Sequence, residues 1–415
     1  MFKFSFIILS VSAVLGASSS LMLQEAIEKA LQNHPDIQKS SLQVKRAQSA
    51  EKIARADYLP QINLNAEYDP LRTYTLPANG VFNTKDSDGW LVNATLNQKI
   101  WDFSKTSLSI EAGEIEQNAA EQSLLDIKAL LVYKVKLQYE LMLVQREAIK
   151  VREEDVKVKE ELYKQAQAFV ELGMKTDADA TRFLSALYRA KDNLAIAEAN
   201  FFKAKTVLSL YIGQEIDKNV ILQNTLGKRK VVTTNEQSVL EASPALKSLQ
   251  NSLKKDELNY KAAKASHYGS IDAIASYTLQ NTLNEYDSSL IGLTLRVPLY
   301  SGGRTSAQVE QGIINKQSSQ ANVNAKELAL KEEFATLMID LKRYEKSIES
   351  KELEIKASTQ TQRVLEARYK EGLATYIEML DVNTFTLDAK LSLLQSLYER
   401  SSTIHRLEYL QGKLK

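Results

Sequence analysis

Gly113, Gly173 and Gly213 recur as Gly312, Gly372 and Gly412, each displaced by 199 residues. The surroundings recur too. Thr106-Ser107 with Glu111, Gly113 and Ile115 matches Thr305-Ser306 with Glu310, Gly312 and Ile314, and Ala190-Lys191 with Leu194 matches Ala389-Lys390 with Leu393. Loops tolerate changes of length at small entropic cost, so a repeat without insertions over more than a hundred residues points to rods of fixed length. Two equal rods in one chain imply a device defined by a distance.

The rods read as helices. From Phe103 to Leu172 there is no Pro, and Ala, Leu, Lys, Glu and Gln dominate. Leu137, Leu141, Val144, Ala148, Val151, Val158 and Leu162 alternate steps of three and four, with Asp155 as one interruption. Leu330, Phe334, Leu337, Leu341, Tyr344 and Ile348 repeat the pattern in the second copy. This spacing is a coiled-coil seam. A helix of ~70 residues is about 105 Å long. Gly173 and Gly372 interrupt the two long helices at equivalent points, and each is followed by a second helical stretch ending near Gly213 or Gly412. Thr176-Asp177 supplies a cap for the restart. Each copy therefore contains a hairpin of two helices. One more helix precedes each hairpin, over about Leu21–Asp57 and Glu236–His267, with Pro35 and Pro244 in register.

Between these helices the period changes to two. Ile62, Leu64, Ala66 and Tyr68 alternate with Gln61, Asn63, Asn65 and Glu67, and Trp90, Val92, Ala94 and Leu96 alternate with Leu91, Asn93, Thr95 and Asn97. In the second copy Ile271, Ala273, Ala275, Tyr277 and Leu279 form one face, and Ile291, Leu293, Leu295 and Val297 another. Strands are expected near 59–69, 89–101, 270–281 and 288–300. Each is close to the 9–11 residues a tilted strand needs to cross a bilayer. The register shift is 209 before these strands (Pro35 to Pro244) and 199 after them. The missing ten residues are assigned to the turn-rich joining segments Asp69–Asp88 and Thr282–Asp287, where length is cheap. Four strands cannot close a barrel, and open edges cannot sit in lipid. A membrane reading therefore requires several copies, and three would supply twelve strands.

The N-terminus reads as an export signal over 1–17: Lys3, an apolar run from Phe4 to Leu15, then Gly16-Ala17-Ser18. Without Lys3, the chain's 53 basic residues fall to 52, against 52 acidic. That balance gives no support for nucleic-acid binding. With no Cys there is no disulfide and no N-terminal lipid anchor. No later apolar run approaches the ~20 residues of a membrane helix, so any membrane crossing falls to the strands.

Three segments carry a resemblance to a known family. They are Arg55-Ala56-Asp57-Tyr58-Leu59-Pro60-Gln61-Ile62, then Val297-Pro298-Leu299-Tyr300-Ser301-Gly302-Gly303-Arg304, then Arg368-Tyr369-Lys370-Glu371-Gly372-Leu373 continuing to Glu378-Met379-Leu380-Asp381. In this order, in a duplicated chain, the sequence resembles the TolC-type outer-membrane efflux family (outer membrane factors) over essentially the whole mature chain. The resemblance implies a mainly α fold with a membrane β-barrel: a homotrimer with a twelve-strand barrel and a twelve-helix periplasmic tunnel. Repeat one would span 21–213 and repeat two 236–412. An equatorial region would come from about 214–235 and the C-terminus. It also implies a passive duct of a tripartite efflux or type I secretion system, joined by a periplasmic adaptor protein to an inner-membrane transporter. The alternative is a structural coiled-coil protein of the envelope without a pore, which has no use for four alternating segments at matched places.

Glu378 and Asp381 lie three apart on one helical face and match the positions where the family places an acidic ring at the tunnel's inner end. Three copies would put six carboxylates around an aperture, attracting cations. Asp179 is the first-copy equivalent of Glu378. With Lys175, Asp177 and Arg182 it is a candidate for links that hold a closed state. Gly173-Met174 and Gly372-Leu373 would form the tips where the adaptor docks. Gly302-Gly303-Arg304 lacks the Lys-Ser/Thr of a phosphate-binding loop and reads as a strand-to-helix bend. His34, His267 and His405 show no metal-site spacing, and no nucleophile–base pairing is apparent. No cofactor and no enzymatic activity are expected.

Overall fold

The computed structural model describes residues 20–78, 80–217, 220–227, 234–282 and 284–414. The expected signal segment lies outside them, as does part of the expected linker. In chain order the elements are β1 (Ser20–Leu21), α1 (Leu23–Asn33), α2 (Pro35–Ala56), β2 (Gln61–Ala78), β3 (Val81–Trp101), α3 (Lys105–Glu171) and α4 (Asp177–Ile212). There follow β4 (Ile221–Leu222), α5 (Glu236–Ala242), α6 (Pro244–Ala265), β5 (Ser270–Asn281), β6 (Glu285–Arg296), α7 (Arg304–Lys370) and α8 (Tyr376–Leu410). The fold is mainly helical. Both long helices contain 67 residues. Among the described residues no helix is long and apolar enough to cross a membrane.

The helices expected as single spans over Leu21–Asp57 and Glu236–His267 are each broken in two, at Pro35 and Pro244. Proline lacks the N–H that a helix interior needs but is suited to a first turn, so each starts a new helix. Ser243 caps the second restart, its hydroxyl accepting from Leu246 N.

The chain divides into two compact units. One holds Gln38–Asp126 and Ser243–Leu330. It contains the antiparallel sheet β2-β3-β5-β6, in which β3 pairs with β5 and so joins the two hairpins. The ladder of the first hairpin runs on through the segment expected as a loop, with Arg72 opposite Ser87 and Thr75 opposite Thr84. The extra ten residues therefore lengthen paired strands. The residues there (Thr73, Tyr74 and Thr75 opposite Asp86, Lys85 and Thr84) alternate too weakly in hydropathy to show as a strand. The fourth strand stops at Arg296 and does not reach 300, since Pro298 has no ladder donor.

Gly113 and Gly312 prove to be points of close helix approach. A Cβ on Gly113 would meet Glu51 Cα at 3.1 Å, and one on Gly312 would meet Tyr260 Cα at 3.1 Å. Glu51 and Tyr260 are themselves 209 apart, so α2 on α3 repeats as α6 on α7. The strand-to-helix corners also correspond. Gly302 and Gly303 have φ of +64° and +81°, and Phe103 and Ser104 adopt +56° and +69° at the matching places. A side chain is costly there. Phe103 offsets this by packing on Trp101 and Tyr268, with ring centroids at 6.2 and 5.3 Å.

The other unit holds Met1–Ile37, Ile127–Ala242 and Lys331–Lys415. Its main core joins α1, α3 and α4 through Ile27, Val135, Tyr139, Met142, Leu143 and Leu208. The buried face of α3 here is wider than the expected seam. Val144 and Leu162 are buried and Leu137, Leu141, Ala148, Val151 and Val158 are half-buried, while Val135, Tyr139 and Met142 lie deeper. The reason is that α3 packs against several neighbours, whereas a two-stranded rope has one. In α7 the expected seam is the inward face, with Leu341, Phe334 and Leu337 against Ile404 and Leu407 of α8.

β1 and β4 form a parallel pair, so the N-terminal segment joins the region expected only from 214–235 and the C-terminus. Tyr139 donates to Leu21 O at 2.8 Å and accepts from Gln223 N at 2.9 Å. Arg146 donates to Val220 O and Leu222 O. His405, fully buried, places Nε2 2.9 Å from Glu140 and Nδ1 3.3 Å from Glu408, which also accepts from Lys136 at 2.7 Å. The histidine is thus part of a polar cluster joining α3 to α8.

Gly269 opens β5 with φ +88°, and a Cβ there would lie 2.0 Å from Arg296 O. Gly269→Ala is expected to destabilise the protein by about 3 kcal/mol. Gly292→Ala, where nothing stands within 4 Å, is expected to change little. Thermal unfolding midpoints of the two variants check this.

Candidate functional site

Directly opposed residues in an antiparallel sheet share a face. Rows across the four strands therefore read as Ile62–Leu96–Ala275–Ile291, Leu64–Ala94–Tyr277–Ser289 and Ala66–Val92–Leu279–Asp287 on one side. The other side carries Asn63–Thr95–Ser276–Leu290 and Asn65–Asn93–Thr278–Ser288. One face is apolar over most of its area and the other polar. The apolar face is also bare: Ile62 is 73% exposed, Leu64 70%, Ile291 90% and Leu293 74%. An exposed apolar surface of this extent is not stable in water and marks a contact with lipid or protein. The outer edges of β2 and β6 have no strand partner among the described residues.

The second region of interest is the pair of helix turns in the other unit. Gly173, at φ +69°, follows α3. Its N–H donates to Val170 O at 2.9 Å, and Met174 N–H to Phe169 O at 2.8 Å. Gly372, at φ +75°, follows α7. Its N–H donates to Tyr369 O at 3.0 Å, and Leu373 N–H to Arg368 O at 2.8 Å. Both pairs are the Schellman pattern, which needs the left-handed residue that glycine supplies. Leu172, Met174 and Leu373 are 72%, 58% and 68% exposed, so each turn carries bare apolar side chains.

Each restart is a capping box. Thr176 donates from its N–H (3.2 Å) and hydroxyl (2.9 Å) to the Asp179 carboxylate. Thr375 donates likewise to Glu378, at 2.6 and 2.8 Å, and its hydroxyl accepts from Glu378 N. These bonds favour the ionised form and hold both carboxyls below their ordinary range. Glu378 and Asp381 both lie exposed in the first turns of α8.

The four first-copy residues are not gathered into a network of links. No ion pair joins Lys175, Asp177, Asp179 and Arg182 among the described residues. Asp179 is held by its own cap. Arg182 stacks on the ring of Tyr376, 4.7 Å from its centroid, and so ties α4 to α8. The two turns are packed together by an aromatic group that the sequence reading missed. Tyr369, 1% exposed, meets Phe169 and Phe183 at 5.9 Å each, and Phe183 meets Tyr376 at 6.2 Å. Burial, and secondarily the Asp179 charge, push the Tyr369 hydroxyl up. The available signal was the clustering of aromatics near the two turns: Phe169 and Phe183 lie within ten residues of Gly173, and Tyr369 and Tyr376 within four of Gly372.

The family described as "Outer membrane efflux protein" matches residues 26–214 and 236–413. The chain belongs to this family. It is an outer-membrane protein. Among curated relatives, the outer membrane protein TolC of Vibrio cholerae is 24% identical, with 98% of this chain and 95% of the relative aligned. The cation efflux system protein CusC of Escherichia coli is 22% identical over 90% of this chain and 82% of its own. The proteases secretion protein PrtF of Dickeya chrysanthemi is 24% identical over 77% and 72%. The fold of this efflux protein is that of solved CusC, with a TM-score of 0.86 at 18% identity over 96% of this chain and 95% of CusC.

The depressed Glu378 carboxyl carries a sign. The stabilisation it gives to the start of α8 is complete above the ordinary carboxylate range and disappears as pH falls through the lowered value. Amide exchange in the first turn of α8, corrected for its intrinsic rate, is expected to lose protection only under acid. Glu378→Gln should remove that pH dependence, whereas Asp381→Asn should leave it. Hydrogen exchange read by mass spectrometry over a pH series checks this.

Proposed function

We propose that this protein is the outer-membrane exit duct of a tripartite export system. Three copies close their sheets into a twelve-strand barrel and contribute twelve helices to a periplasmic tunnel. The observation that carries this is the four-stranded sheet, apolar and bare on one face, polar on the other, and unpaired at both edges. In lipid each edge needs a partner strand, and a second copy's β6 against β2 supplies one without any new fold. The bare apolar face then meets lipid and the Asn- and Thr-rich face lines the lumen. A coiled-coil envelope protein without a pore leaves this sheet unexplained.

Energy comes from an inner-membrane transporter, reached through a periplasmic adaptor. The adaptor docks on the turns at Gly173-Met174 and Gly372-Leu373, whose exposed Leu172, Met174 and Leu373 offer apolar contacts. Relatives named for cation efflux and for proteases secretion support the export of material through the lumen.

Glu378 and Asp381 form the acidic ring of the aperture. Glu378's cap bonds keep it ionised, so its charge is present at neutral pH. Asp179 caps the equivalent turn, with Lys175 and Asp177 beside it. Arg182, through Tyr376, holds the two hairpins of one copy together. In planar bilayers the protein is expected to conduct ions and to be blocked by multivalent cations added from the tunnel side. Glu378→Ala with Asp381→Ala should weaken that block at least tenfold. Equal block in the double variant removes the aperture assignment. A protein that runs as a single chain on unheated gels and never conducts removes the duct.

A further inference from the structure

Asp155 breaks the apolar seam of α3 and lies in a charged setting. Around it α3, α4 and α8 line an open-mouthed cavity of about 500 Å³. Its wall carries Arg152, Lys159, Arg182 and Arg189 against Asp155 and Asp388, an excess of cations. Lys159 is 5% exposed, and its Nζ has no hydrogen-bond partner. The nearest carboxylate oxygen, on Asp155, is 3.8 Å away, beyond hydrogen-bond distance. An ammonium buried without an acceptor is costly. Arg152 and Arg189 make no hydrogen bond or ion pair with any described residue. Arg182 lies over the ring of Tyr376, 4.7 Å from its centroid.

We propose that this cavity is a binding site for a small dianionic oxyanion, with Lys159 as its buried donor and Arg152, Arg182 and Arg189 at its mouth. Planar forks and an ammonium are the groups that recognise phosphate and carboxylate. Burial pushes the Asp155 carboxyl up and the Lys159 ammonium down, and an arriving anion favours the charged form of Lys159. Two arginines on α4 would then be joined to α3 beside α8, so occupancy stiffens the first helical hairpin.

The test is calorimetric titration of the purified full-length protein in detergent, with sodium phosphate and with sodium succinate, each at ionic strength matched by sodium chloride. Saturable binding of one ion per chain is expected, with a thermal midpoint that rises with ligand concentration. Arg189→Ala, an exposed position, should weaken binding at least tenfold, and Lys159→Met should abolish it. Binding of phosphate alone assigns a tetrahedral oxyanion; binding of succinate alone assigns a dicarboxylate. Heat no greater than chloride gives for both ions, or binding unchanged in Arg189→Ala, overturns the site.

Discussion

A backbone N–H or C=O group facing hydrocarbon has no water to pair with, and in this chain that constraint falls on two strand edges. β2 and β6 flank an antiparallel sheet in which β2 pairs with β3, β3 with β5 and β5 with β6. The sheet's apolar rows favour lipid, while its edges forbid lipid until something pairs with them. In the proposed duct, repetition of the chain resolves the conflict, since identical copies present a complementary β2 and β6 edge. The duplication inside the chain has already used the same solution once, where β3 of the first hairpin pairs with β5 of the second.

The helical turns show how one carboxylate serves two ends. Glu378 holds the start of α8 by accepting from Thr375, and that bond keeps it charged while it remains exposed. Asp179 does the same for α4 with Thr176. A side chain fixed by its cap has little freedom to exchange partners, so a link that opens and closes must involve other groups. The aromatic packing of Phe169, Phe183, Tyr369 and Tyr376, with Arg182 stacked above, joins the two hairpins of a single copy. The exposed charge of the α8 cap and the cohesion of the two turns thus reside in different residues.

Polar groups also lie inside the helical region. His405, Glu140, Glu408 and Lys136 form one buried cluster, and Asp155 with Lys159 forms another. In sequence, Asp155 looks like a flaw in a heptad. A helix packed by several neighbours has more than one buried stripe, so a one-seam reading misjudges which residues face inward.

The order of helices and strands, the hairpin turns at Gly173 and Gly372, and the two-faced strands were legible because each rests on local chemistry. Side-chain period, left-handed glycine and proline's missing N–H act within a few residues of the chain. The tertiary structure alone decided matters that depend on distant residues meeting. It set the ladder from Arg72 to Ser87, whose residues alternate weakly and pair only because a partner strand is there. It let Phe103 and Ser104 adopt the conformation that Gly302 and Gly303 adopt freely, since Trp101 and Tyr268 pack against Phe103. It also gave Gly113 and Gly312 their purpose. Their recurrence is visible in the sequence, but the backbones of Glu51 and Tyr260, which leave little room for a side chain, are brought there by helix packing.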